Sequence, residues 1–134
     1  MFIRSFVLFL FIGTMLIISA GCHSHDDELS DIEIRFMTPQ NGDIISNASN
    51  VMIRVEIEAD PENHDIDVVL YPHNNSSNKI IDWHRHTHDQ LVVFNQAVDL
   101  SSYPSGTVFH LDVEACRDHD CETIVRQGIE FSIQ

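Results

Sequence analysis

The sequence predicts an all-β fold, a single antiparallel sandwich of about seven strands over residues 31–134. Three observations carry this expectation. From Asp31 onward apolar and polar residues alternate with a period of two, the signature of strands with one face buried and the other in water. Turn-forming clusters of Pro, Gly, Asn, Asp and Ser recur about every ten residues. After the N-terminal apolar run, no stretch carries a convincing helical period.

The expected elements follow in chain order. "DIEIRF" (31–36) sets Ile32, Ile34 and Phe36 against charged residues, and "TPQNGD" turns the chain. "VMIRVEIEAD" (51–60) sets Val51, Ile53, Val55, Ile57 and Ala59 against Met52, Arg54, Glu56, Glu58 and Asp60. "DPEN" ends it, and "DIDVVLY" (65–71) resumes the alternation. "PHNNSSN" separates it from "KIIDWHRH" (79–86), and "LVVFNQAVDL" (91–100) follows. After "SSYPSG" come "TVFHLDVEAC" (107–116), the turn "RDHD", and "ETIVRQGIEFSI" (122–133). The inward set should be Ile34, Phe36, Val51, Ile53, Val55, Ile57, Val68, Leu70, Phe109, Leu111, Val113, Phe131 and Ile133.

The first 22 residues belong to another physical class. Arg4 precedes an apolar run from Phe6 to Ile18, and Ser19, Ala20 and Gly21 lead to Cys22. A charged start, an apolar middle and a small-residue cleavage region describe an export signal, with an uncleaved N-terminal anchor as the alternative. "SAGC" resembles the lipobox of bacterial lipoproteins, although most of those carry Leu where this chain has Ser19. That resemblance implies cleavage after residue 21 and a lipid on Cys22. The mature chain would then keep 113 of the 134 residues, one domain's worth. The expected organisation is a signal peptide at 1–21, an acidic and His-containing tether at 22–30, and the sandwich at 31–134. Asp26, Asp27 and Glu28 resemble the surface-export signal of Bacteroidota lipoproteins, or are a plain solvated linker.

Charge narrows the partners. The whole chain carries a formal −14, and without the leader, whose one charge is Arg4, the remainder carries −15. Such a surface repels nucleic acid and anionic headgroups and draws cations. Membrane attachment therefore has to come from the lipid on Cys22.

The order "TPQNG", "VMIRVEIEAD", "IDVVLY", "VDLSSYPSG", "FHLDVEA" and a final "IEFSI" resembles bacterial immunoglobulin-like domains. These commonly carry a Pro-x-x-Gly turn and a Gly-led strand ending in Val-x-Ala. The likeness spans nearly the whole mature chain and extends to small immunoglobulin-like lipoproteins of Bacteroidota, several with His-x-His segments. It implies a fold and an envelope address, in the outer membrane facing the periplasm or the cell surface. It implies no particular activity.

Cysteines and histidines supply the candidate sites. With Cys22 assigned to lipid, Cys116 and Cys121 remain, flanking "RDHD". Facing positions on a hairpin lie within disulfide range and exported thiols oxidise, so a disulfide is expected. The alternative is a thiol metal site formed with His119, although Cys-x4-Cys is not a standard zinc spacing. "DPENHDID" (60–67) resembles acidic calcium loops but lacks their ligand spacing and reads better as a turn. Nucleophile elbows, phosphate loops and His-Glu-x-x-His patterns are absent from the sequence, and the expectation is a non-enzyme.

"WHRHTHD" (83–89) places His84, His86 and His88 at alternate positions, which on a strand share one face. His110 should face the same way from a neighbouring strand, and His73 should lie nearby. Together they are candidate ligands for zinc, copper or nickel. His119, in its turn, is expected to stand apart from them. The competing reading is a solvated, pH-sensitive surface. Two function classes follow: a lipid-anchored, non-catalytic module engaging another envelope protein or a glycan, and a metal-binding lipoprotein.

Overall fold

A computed structural model describes residues 32–134. The expected signal peptide, Cys22 and the tether lie outside the described residues. The described chain forms eight strands and contains no helix. They are β1 (Ile32–Thr38), β2 (Ile44–Ile45), β3 (Val51–Ala59), β4 (Asp65–Pro72), β5 (Ile81–His86), β6 (Leu91–Val98), β7 (Val108–Cys116) and β8 (Ile124–Ile133).

The strands make two sheets, β1-β3-β6 and β2-β8-β7-β4-β5, packed as a sandwich. The strand order is an immunoglobulin-like one, in which consecutive strands repeatedly cross between the sheets. Seven strands match the sequence expectation. The eighth, β2, has only two residues and pairs parallel with β8, Ile44 beside Ser132 and Ile45 beside Ile133. Two residues are too few for an alternation to register, and the parallel pair departs from an all-antiparallel design.

Period-two patterning explains the interior. Ile53, Val55, Ile57, Ile66, Val68, Leu70, Phe109 and Leu111 have no solvent exposure, while the residues alternating with them are partly or fully exposed. Each such side chain contributes about 1.5–3 kcal/mol by leaving water. Every residue of the expected core is buried except Phe36, which is only partly covered and packs against the rim. The pairing of β1 with β3 shifts between Phe36 and Thr38, a local bulge after which Thr38 still pairs with Arg54. Trp83 on β5 meets Phe94 on β6 with ring centroids 5.1 Å apart, joining the two sheets near their edge.

One end of the sandwich is tied by Asn63. Its Nδ2 donates to the carbonyls of Asp89 (3.0 Å) and Gln90 (2.9 Å), and its backbone N–H donates to Asp89 (3.0 Å). The β3–β4 connection is thereby held against the β5–β6 turn. At this same end the start of β4 meets the ends of β5 and β7, since Asp65 pairs with both His86 and Cys116. At the far end of β4, Tyr71 pairs with His110, which in turn pairs with Glu130.

Candidate metal centre

Four histidines gather where β4 begins. His64 immediately precedes β4 and is clamped on both sides. Its N–H donates to the Cys116 carbonyl (2.7 Å), and its own carbonyl accepts the Thr87 N–H (2.8 Å). Its side chain is 5% exposed. Around it stand His86 from the end of β5, His88 from the following turn and His119 from the β7–β8 loop. Ring centroids lie 4.2, 5.2 and 4.2 Å from that of His64. One ring nitrogen each from His64, His86 and His88 falls within 4.8 Å of the other two.

Each of those three rings is backed by a carboxylate through Nδ1. His64 reaches Asp65 Oδ2 at 3.2 Å, His86 reaches Asp65 Oδ1 at 2.9 Å, and His88 reaches Glu62 Oε1 at 3.1 Å. The hydrogen bond from His86 is the largest cause holding the Asp65 carboxyl below the usual carboxylate range; burial opposes it, and His64 adds a lesser lowering. A carboxylate on Nδ1 selects the tautomer whose Nε2 carries a free lone pair, the arrangement that usually stands behind a metal-ligating imidazole. The Nε2 of His64 is buried and has no hydrogen-bond partner. An orphaned buried polar atom is costly, at about 1–3 kcal/mol, and a cation held between the rings would satisfy it.

Local chemistry explains how each ring is delivered. His86 and His88 straddle Thr87, whose hydroxyl donates to Asp89 Oδ2 (2.8 Å) and accepts the Asp89 N–H (3.2 Å). Arg85 also donates to Asp89 Oδ2 (2.8 Å), so the turn bearing His88 is braced from both sides. His119 sits in a loop closed by the Cys116–Cys121 disulfide, with Cα atoms 5.2 Å apart. Asp118 organises that loop by accepting the N–H groups of Glu122 (2.7 Å) and Thr123 (3.1 Å). The Glu122 N–H, the larger cause, and the Thr123 N–H hold the Asp118 carboxyl below its usual range.

The disulfide joins the expected cysteines, but by a different geometry. Cys116 pairs in register with Ile124, not Cys121. Cys121 belongs to the loop, where a φ of 47° turns the chain back toward β7. His119 also departs from expectation: it packs against His64 and is 6.2 Å from His88 by centroids, so it borders the cluster.

The five sequence-selected histidines fall into three neighbourhoods. His86 and His88 join His64. His84 shares the outer face with His86, but its Nδ1 lies 2.9 Å from Asp67 Oδ1, and it stands outside the three-histidine group. His73 and His110 lie at the far end of β4, six residues away in register, or about 20 Å. The separation arises because β5 pairs only with Asp65–Leu70 of β4, short of the rows that carry His110 and His73. His64 carried no strand signal, because it sits in the turn-like "DPENHDID". Its proximity to a His-x-His strand one connection later was its only trace in the sequence. No protein-family model and no curated protein matches the chain.

Proposed function

We propose that this domain is a non-catalytic metal-binding module that holds a divalent transition ion, zinc, copper or nickel, between His64, His86 and His88. The observation that carries the reading is the buried, partnerless Nε2 of His64 beside two further imidazoles, all three backed by carboxylates. Imidazole suits all three metals, and a net charge of −14 raises the local cation concentration. Tetrahedral zinc with Zn–N bonds of 2.0–2.1 Å needs donors about 3.3–3.4 Å apart. Side-chain rotation of the exposed His86 and His88 supplies that closure. His119, whose ring lies 4.2 Å by centroids from that of His64, would take a fourth position by side-chain rotation, which would give a closed, holding site instead of a catalytic one with an open position.

The proposed address is the bacterial envelope, most simply the outer membrane, with the chain anchored through lipid on Cys22. This rests on the order of charge, apolar run, small residues and cysteine in residues 1–22. Cys22→Ala should release the protein from membranes or leave it unprocessed. Normal processing and retention of that variant would refute the anchor.

The metal reading is tested by titrating the full chain, purified in detergent, with zinc and with copper. His64→Ala and His86→Ala should each abolish one tight site, and His119→Ala should weaken it less. His84→Ala should leave it in place. Equal, weak binding by all five proteins would mean the histidines are only a solvated surface.

A specific feature favours engagement of a glycan or another envelope protein as a second role. A groove of about 610 Å³ runs over the outer face of the five-stranded sheet, bordered by Tyr71, Lys79, Asp82 and Arg126. It offers hydrogen-bonding groups of both charges beside an aromatic ring. A glycan-array screen with Arg126→Ala and Lys79→Ala as controls would expose such a ligand. Binding indifferent to both substitutions would exclude the groove.

A further inference from the structure

We infer a second, separate metal site at the opposite end of the sheet, formed by His73, His110 and Glu130. It stands independently of the three-histidine centre. His73 Nδ1 and His110 Nε2 are 2.6 Å apart, and Glu130 Oε1 lies 3.5 and 3.2 Å from them. The donors come from three adjacent chain segments: His73 just beyond β4, His110 on β7 and Glu130 on β8.

The backbone holds these donors in place. The His73 N–H donates to the Val108 carbonyl at 2.9 Å, extending the β4–β7 ladder past its last paired residue. His110 is paired in register with Tyr71 on one side and Glu130 on the other. The Glu130 N–H donates to Asn41 Oδ1 (3.0 Å), and its carbonyl accepts from Gly42 (2.7 Å). The rings form a column: Tyr71 stacks on His110 at 5.3 Å, and His73 stacks on it at 4.7 Å. His110, in the middle, keeps only 23% of its side chain exposed, while His73 and Glu130 face water.

The chemistry of two imidazole nitrogens so close together points to a cation. Two lone pairs facing each other repel, and two N–H groups would collide, so one shared proton or one metal ion must lie between them. A metal ion would take the place of that proton, with the donating imidazole adopting its other tautomer, and the nitrogens would spread to about 3.3 Å. Glu130 would supply the third donor and water the rest. Two neutral nitrogens and one carboxylate suit a divalent first-row transition ion. The hard ions calcium and magnesium prefer all-oxygen shells. Exposure and partial hydration make this the weaker of the two sites.

Long-range nitrogen–proton NMR on the full chain in detergent tests the inference directly. On zinc addition, the His73 Nδ1 and His110 Nε2 resonances should shift together, at zinc concentrations above those that move the His64 and His86 nitrogens. Magnesium at the same concentrations should move neither. Glu130→Gln, a conservative exchange at an exposed position, should raise the zinc concentration required without affecting the His64 response. His86→Ala should leave the His73 and His110 response intact. The inference is overturned if zinc leaves His73 Nδ1 unmoved, or if His86→Ala removes the response. Should the His73 and His110 nitrogens respond while His64 and His86 stay silent, the second site stands and the three-histidine reading falls.

Discussion

Asp65 offers the sharpest probe of the three-histidine centre, because one carboxylate orients two of its rings. Oδ1 accepts from His86 at 2.9 Å and Oδ2 lies 3.2 Å from His64 Nδ1. Asp65→Asn preserves shape and leaves a single acceptor for two imidazoles. One ring must lose its orienting partner, and the new amide N–H₂ repels the N–H it faces. Removing a carboxylate behind a metal-bound histidine typically costs 10–100-fold in affinity. The expected loss is therefore about 1.4–2.8 kcal/mol of zinc binding, at about 1.4 kcal/mol per tenfold. Competition against a chromophoric chelator reads this, with Asp67→Asn as the control, since the Asp67 carboxylate hydrogen-bonds the non-ligating His84. Both variants should fold as the wild type does, because both positions lie on the outer face. Equal zinc affinities for the two variants would refute the reasoning. The depressed pKa of Asp65 adds a sign. A carboxyl whose pKa is lowered by folding stabilises the metal-free fold above its unfolded value, about 3.9, and loses that contribution as pH falls through the folded value. Asp65→Asn should therefore flatten the acid limb of the stability curve.

Three further outcomes are expected. Ile53→Asp should unfold the domain, since Ile53 has no exposure and an unpaired buried charge costs several kcal/mol, whereas Arg54→Asp on the wet face should remain folded by circular dichroism. Gly128→Ala would put a Cβ against Asp112 Oδ1, forcing that carboxylate to turn away from the Tyr71 hydroxyl, which donates to it at 2.6 Å. That bond and burial push Tyr71 up to about 12, so its contribution is complete below the unfolded value of about 10 and disappears as pH rises through about 12. Tyrosinate absorbance of the variant should show Tyr71 ionising below about 12, since the Asp112 hydrogen bond is lost while burial remains, and an unchanged titration would show that Asp112 does not set it. Cys121→Ser should lower stability by about 2 kcal/mol in denaturant titrations, the chain-entropy value for so short a loop. No loss would mean that the loop is held by Asp118 alone.

Features that depend on neighbours along one strand could be read from the order of residues. Alternation assigns each side chain to a face, so the seven long strands, the inward residues and the shared outer face of His84 and His86 were legible from one dimension. The cysteine pairing was legible too, because it spans only five positions. Register between strands distant in sequence became visible only in the folded sheets. Sliding β5 along β4 by two residues would keep every side chain on its face yet put different histidines together. The pairing of Asp65 with both His86 and Cys116 draws His64, His86, His88 and His119 to one end, and the pairing of Tyr71 with His110 and Glu130 sends His110 and His73 to the other. His64 is the clearest case. It lies in a turn whose composition promises solvent, and it is buried because the ends of two flanking segments hydrogen-bond its backbone on either side. Backbone pairing across a sheet is blind to side-chain identity, so a sequence pattern can name the face that a histidine occupies but not the partner it will meet there.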